Sequence, residues 1–255
     1  MYYERHGRVD GDAPTILLLH GLGSSATDWT EQLAGFGPRC RLLVVDLPGH
    51  HRSALPPGRL TVERMAADLE RLLIGLGEPP LHVAGLSLGA CVGLALAFQA
   101  PARIRSLTLV NGFARLRPLS AAGALRLLTR LALVATAPMT VVASRVAGVM
   151  FPKPEQAHLR LAATRSLART RRRTYLAALA ALATFDARPR LASVRCPTLV
   201  VAGDGDATVA LEAKAELTQG IPGAQMVVVP DSGHATPSDQ PELFNRIILE
   251  FIAAH

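Results

Sequence analysis

Residues Leu81–Gln99 read LHVAGLSLGACVGLALAFQ, and this stretch decides the fold. An apolar, strand-like run ends in Gly85-Leu86-Ser87-Leu88-Gly89 and passes at once into a small-residue helical pattern. GxSxG between a strand and a helix marks a sharp, strained corner that lifts the serine hydroxyl above a sheet. The two glycines stand where strand and helix backbones come closest, so a side chain at either would clash. The corner also aims the N–H of Leu88 at the place where an oxyanion would form. The five residues alone also fit an ordinary glycine-flanked turn. The segments around them give the pattern its weight.

A serine hydroxyl is a poor nucleophile at neutral pH and needs a base, which in turn needs an orienting acid. With this corner the chain order is serine, then acid, then histidine. Downstream, Pro197–Ala202 reads as a buried strand, and Gly203-Asp204-Gly205-Asp206 follows it. Ligand sites of open parallel sheets lie at that end of a strand. Both aspartates are candidates for the acid, and Asp204 also suits plain turn capping. Met226–Val229 reads as the last strand, and the loop Asp231-Ser232-Gly233-His234 places His234 to reach back over the sheet as the base. Leu243, Phe244, Ile247, Ile248 and Phe251 then repeat at helical spacing.

The other histidines have plainer readings. His6 and His255 are terminal, His82 opens the strand far from its catalytic end, and His158 sits in an arginine-rich helical stretch. His20 belongs to a further motif. Thr15–Leu19 reads as a strand, and His20-Gly21-Leu22-Gly23 follows it. A glycine-rich turn there leaves a backbone N–H, that of Leu22, free to face an oxyanion beside that of Leu88. His20 and Gly21 are read as supports of that loop.

These pieces, in this order, resemble the α/β-hydrolase superfamily, most closely its compact, lid-bearing serine esterases. The residues that carry the resemblance are HGLGSS at 20–25, Trp29, DLPGHHRS at 46–53, GLSLGA at 85–90, GDGD at 203–206 and SGH at 232–234. They cover Ile16–Asn111 and Pro197–Ala253 but not the middle of the chain. The resemblance implies a mostly parallel central sheet with helices on both faces and an inserted helical cap. It also implies a Ser87–His234–Asp206 triad, since it places the acid third after the glycine, with the N–H groups of Leu22 and Leu88 as the oxyanion hole. Some relatives carry the acid after the preceding strand, where this chain has Asn111. His51 departs from the glycine common in relatives, at a position where a positive φ would be unusual for histidine. A serine at the corner, where epoxide and haloalkane hydrolases need aspartate, points to acyl-enzyme chemistry.

The implied activity is hydrolysis of carboxylic esters, without metal or organic cofactor, on a small substrate with an apolar acyl chain. Lactonase, thioesterase, acyl-carrier-linked methyl esterase and C–C bond hydrolase chemistry use the same triad. A receptor-like binding protein with vestigial turnover is the reading from another class.

The chain has 255 residues, which suits one α/β domain with an insertion. Its three cysteines, Cys40, Cys91 and Cys196, lack metal-type spacing and read as buried thiols. The N-terminal segment lacks an apolar signal core, and no apolar run is long enough to span a bilayer, so a cytoplasmic protein is expected.

Net charge is +7 but unevenly spread. Residues 113–189 are expected to form the cap, and 1–112 with 190–255 the core. The stretch 113–190 holds thirteen arginines and Lys153 against Glu155 and Asp186. Leucines alternate with these arginines, which predicts amphipathic helices, separated near Pro118, Pro138, Pro152 and Pro154, with apolar faces over the site and arginines outward. Such a face is either simply solvated or meets an anionic partner: an acidic carrier domain, an anionic membrane surface, or a substrate carboxylate. The sparse aromatics argue against nucleic acid.

Overall fold

A computed structural model of the chain describes residues 1–9, 13–116 and 121–255. Seven strands form one sheet in the order β1 (Tyr2–Gly7), β3 (Arg41–Asp46), β2 (Thr15–Leu19), β4 (Leu81–Leu86), β5 (Ile104–Val110), β6 (Thr198–Gly203) and β7 (Gln225–Val229). Only β1 runs antiparallel to its neighbour; all other pairs are parallel. This is the α/β-hydrolase fold that the sequence implies.

The parallel strands need helices on both faces, which is why β2 and β4 are continuous buried runs instead of alternating ones. Leu17 and Leu19 of β2 point into one core, against α2 (Val62–Gly75) and α3 (Leu88–Gln99). Ile16 and Leu18 point into the other, against Trp29, Phe36 of α1 (Thr30–Phe36) and Phe244 and Ile248 of α10 (Pro241–Ala253). Helix α2 is held at its start by Thr61, whose side chain accepts the Arg64 N–H, and buries Val62, Met65, Leu69 and Leu73 on one face. Helix α3 is buried from Leu88 to Ala97, so its small residues let it lie against the sheet centre.

Between β5 and β6 the chain inserts α4 (Ala121–Thr136), α5 (Met139–Met150), α6 (Ala157–Ala168) and α7 (Arg172–Thr184). The two ends of the insertion are joined: the Ala187 N–H donates to the Ala114 carbonyl (2.8 Å), and Asp186 pairs with Arg188 and Arg115. Pro118 lies outside the described residues, as do the side chains of Arg126 and Leu127.

The expectation of inward leucines is corrected on α4. Leu125 and Leu128 are 65% and 63% exposed, and only Val134 of the described side chains is fully buried there. Leucines are spread round this helix, and a single side of it can face the body. Cys40 and Cys91 are buried, whereas Cys196 is only half-buried. Among the described residues no helix is long and apolar enough to cross a membrane.

Candidate active site

Ser87 stands between β4 and α3 with φ of 54°, in a region that side chains rarely occupy. The strain is held by the surroundings. The Ser87 N–H donates to the Val110 carbonyl at 2.9 Å, and its own carbonyl accepts the Cys91 N–H at 3.2 Å. A Cβ on Gly85 would strike the Gly89 carbonyl, and one on Gly89 would strike that of Leu19. Both glycines are therefore required by backbone contact across the corner. Leu88 opens α3, and the first N–H groups of a helix lack intrahelical acceptors.

The loop after β2 runs beside this corner, because β2 pairs with β4 in register Leu19↔Gly85. His20 is fully buried and bridges two loops: Nδ1 lies 2.8 Å from the Gly21 carbonyl, and Nε2 accepts the Leu47 N–H at 2.9 Å. Burial, with His50 nearby, lowers its pKa to about 3, so the ring is neutral with its proton on Nδ1. Asp28, half-buried on the turn before α1, accepts the Gly21 N–H at 3.0 Å and the Ser24 hydroxyl. Burial raises its pKa to about 6 against those two hydrogen bonds. Leu22 packs against Val134, Val142 and Tyr175 of the inserted helices. Thr170 fastens the insertion to the same loop by donating to the Gly23 carbonyl at 2.6 Å.

His234 lies in the loop between β7 and the short helix α9 (Thr236–Asp239). Its Nδ1 is 2.9 Å from Asp206 Oδ2, and both side chains are buried. Asp206 Oδ1 accepts the N–H groups of Thr208 (2.8 Å) and Val209 (3.1 Å). Asp204, by contrast, is exposed and accepts the Ser232 N–H at 3.1 Å, bracing the loop from outside. Among the described residues no hydrogen bond joins Ser87 to His234.

Two residues at the site escape a reading of the sequence. Lys214 of α8 (Leu211–Gly220) is fully buried, and its Nζ lies 2.9 Å from the same Asp206 oxygen that His234 uses. Burial pushes the Asp206 carboxyl up, but His234 and Lys214 outweigh it and hold it well below the usual carboxylate range. A signal was present: the chain has twenty-five arginines and two lysines, so each lysine stands out. The other residue is Asn111, fully buried at the end of β5 with φ of 46°. Its Nδ2 donates to the His234 carbonyl (2.8 Å) and to Thr236 Oγ1 (2.8 Å), while its Oδ1 accepts the Gly203 N–H (2.9 Å). It ties the histidine loop to β6. The Asn111-Gly112 dipeptide, a turn signal after a strand, is the trace it leaves in the sequence.

His51 takes φ of 44° and is exposed, so histidine occupies the left-handed position that glycine fills more easily. Among the described residues no cluster of histidine, cysteine or acidic side chains has the makings of a metal site.

Residues 14–241 match the family model described as alpha/beta hydrolase fold. A protein of Azorhizobium caulinodans, provisionally named carbamate hydrolase RutD, is 33% identical, covering 98% of this chain and 94% of that one. Among solved structures, the enol-lactonase from Burkholderia xenovorans LB400 superposes with a TM-score of 0.90 at 26% identity, covering 99% of this chain and 96% of that one. A thermophilic esterase from Thermogutta terrifontis, with malate bound, gives 0.84 at 28% identity, over 99% and 93%. Fold, strand order and family model agree: this chain is a hydrolase belonging to the α/β-hydrolase fold family.

Proposed function

We propose that the protein hydrolyses carboxylic esters through an acyl-enzyme on Ser87. The observation that carries the reading is the arrangement at the C-terminal ends of the parallel strands. A serine sits on a strained corner at the end of β4, and a buried His234–Asp206 pair at 2.9 Å lies above the ends of β6 and β7. Asp206 fixes the imidazole proton on Nδ1, which leaves Nε2 as the base. In the reaction Ser87 Oγ bonds to the ester carbon and its proton passes to Nε2. The N–H groups of Leu22 and Leu88 hold the oxyanion. Collapse breaks the bond to the alcohol, which leaves with the proton from His234. Water, deprotonated by the same base, then releases the acid. The hydrogen bond between Ser87 and His234 forms in the substrate complex; such bonds are often open without ligand.

Residues 113–189 serve as a cap in this reading. Val134, Val142 and Tyr175 lie over Leu22 and favour an apolar acyl group. Cleavage of a carbamate is the second reading, favoured by the name of a relative similar over nearly the whole chain. Both begin with attack by Ser87 on an acyl carbon. The test compares p-nitrophenyl esters of two to twelve carbons, a lactone and an aryl carbamate, with wild type beside Ser87→Ala. Turnover of esters with a length optimum, lost in the variant, supports the first reading. Preference for the carbamate selects the second, and turnover that survives in Ser87→Ala sinks both.

A further inference from the structure

We infer that Lys214 is a positioning residue that sets the acid limit of the reaction, through the carboxylate oxygen it shares with His234. This rests on the proposed Ser87–His234–Asp206 triad and adds a fourth member to it.

Lys214 is 0% exposed and its Nζ has two oxygens near it, Asp206 Oδ2 at 2.9 Å and the Gly203 carbonyl at 3.4 Å. Burying an ammonium is costly, and an uncharged side chain would fill the same space at less expense. Nor is the lysine needed to orient Asp206. Two backbone N–H groups hold one of its oxygens and His234 Nδ1 holds the other. What Lys214 adds is its charge.

Lys214 Nζ and His234 Nδ1 are both hydrogen-bonded to one oxygen, so they stand within about 6 Å of each other, close enough for like charges to repel strongly. The lysine therefore keeps Asp206 ionised and at the same time opposes the imidazolium. The acid facing His234 is part of a nearly neutral pair. Other charged groups face the histidine loop: Asp28, on the turn after β2, Asp239 of α9, whose carboxylate takes the Gly233 N–H, Asp204, which takes the Ser232 N–H, and the Lys153–Asp231 pair. Removing the ammonium takes away that repulsion and so favours the imidazolium, the form that cannot act as the base.

The test is the pH profile of kcat/KM for p-nitrophenyl acetate between pH 4.5 and 9, in wild type, Lys214→Met and Lys214→Gln, with Ser87→Ala as blank. Without the charge, the acid limb moves to higher pH by about one pH unit, so turnover well below the limb falls about tenfold more than turnover on the plateau. A loss uniform across pH, with the limb unmoved, overturns the inference and leaves Lys214 a packing residue. Failure of both variants to fold, read by circular dichroism, assigns the ammonium to stability and also overturns it. Turnover unchanged in Ser87→Ala removes the triad reading itself, an outcome distinct from an unmoved limb in a Ser87-dependent enzyme.

Discussion

His20 Nε2 accepts the backbone N–H of Leu47 at 2.9 Å, so a single neutral imidazole joins the loop after β2 to the loop after β3. The bond exists only while Nε2 is unprotonated. The buried ring of His50 packs edge-on against His20 at 5.0 Å, and burial lowers its pKa to about 4. Both folded-state values lie below the ordinary histidine value of 6.5. The stability these rings contribute is therefore complete above pH 6.5 and is lost as pH falls toward 4 and then 3. By pH 5 each accounts for on the order of 2 kcal/mol, less than additively because the rings touch. Urea midpoints at pH 7.5 and 5 measure this. The drop should shrink in His50→Gln, and an equal drop in that variant would discard the assignment.

Asp28 works in the opposite sense. Its pKa is raised to about 6, so the folded state binds a proton that the unfolded chain, near 3.8, releases. Stability from this group is present below about pH 4 and falls as pH rises through 6. Asp28→Asn should gain on wild type by on the order of 1 kcal/mol above pH 7 and lose that advantage by pH 4. Melting temperatures across that range decide it; a constant difference would show that Asp28 does not titrate there.

Asp206 and Asp204 separate the acid from its neighbour. Asp206→Asn should lower kcat by about 10³–10⁴-fold, because the imidazole tautomer is no longer fixed. Asp204→Asn keeps an oxygen to accept the Ser232 N–H and loses only the charge, so it should cost less than about tenfold. The reverse ranking in steady-state assays would transfer the role of acid to Asp204.

Asn111 holds the histidine loop to the sheet: its amide N–H groups reach the Gly233 and His234 carbonyls and Thr236 Oγ1, and its oxygen accepts the Gly203 N–H. Asn111→Ala takes the partner from the buried Gly203 N–H and His234 carbonyl, while Thr236 keeps Ser232 and Gly233. The variant should destabilise the fold by about 2–4 kcal/mol, with a fall in kcat larger than any rise in KM. A melting curve and a kcat/KM split test both parts. Wild-type kcat at reduced stability would confine Asn111 to the fold.

Gly85→Ala and Gly89→Ala each set a methyl group against a carbonyl across the corner. Either should abolish labelling of Ser87 by a fluorophosphonate, or lower soluble yield sharply, because neither strand nor helix has room to withdraw. Normal labelling would mean that the corner is wider than described.

The motifs and the order of elements were written in the chain. Apolar runs ending in glycine-rich turns can be met by few backbone conformations, so GLSLG and HGLG fixed the corner, the neighbouring loop and the parallel strands between them. These signals are local, and local sterics enforce them. Asp206 and Asp204 lie three and one residues past the same glycine; the residues themselves leave both open as the acid, and the family resemblance favours Asp206. The tertiary structure adds that Asp206 turns inward to His234 while Asp204 braces the Ser232 N–H from outside. It alone placed Lys214, eleven residues past Gly203, on the oxygen that Asp206 offers to His234, and tied Asn111 to a loop more than a hundred residues away. It also turned Leu125 and Leu128 outward, although their spacing resembles that of buried leucines. Burial, charge pairing and long-range hydrogen bonds depend on what folds against a residue, and a side chain's own neighbours in sequence carry no record of that.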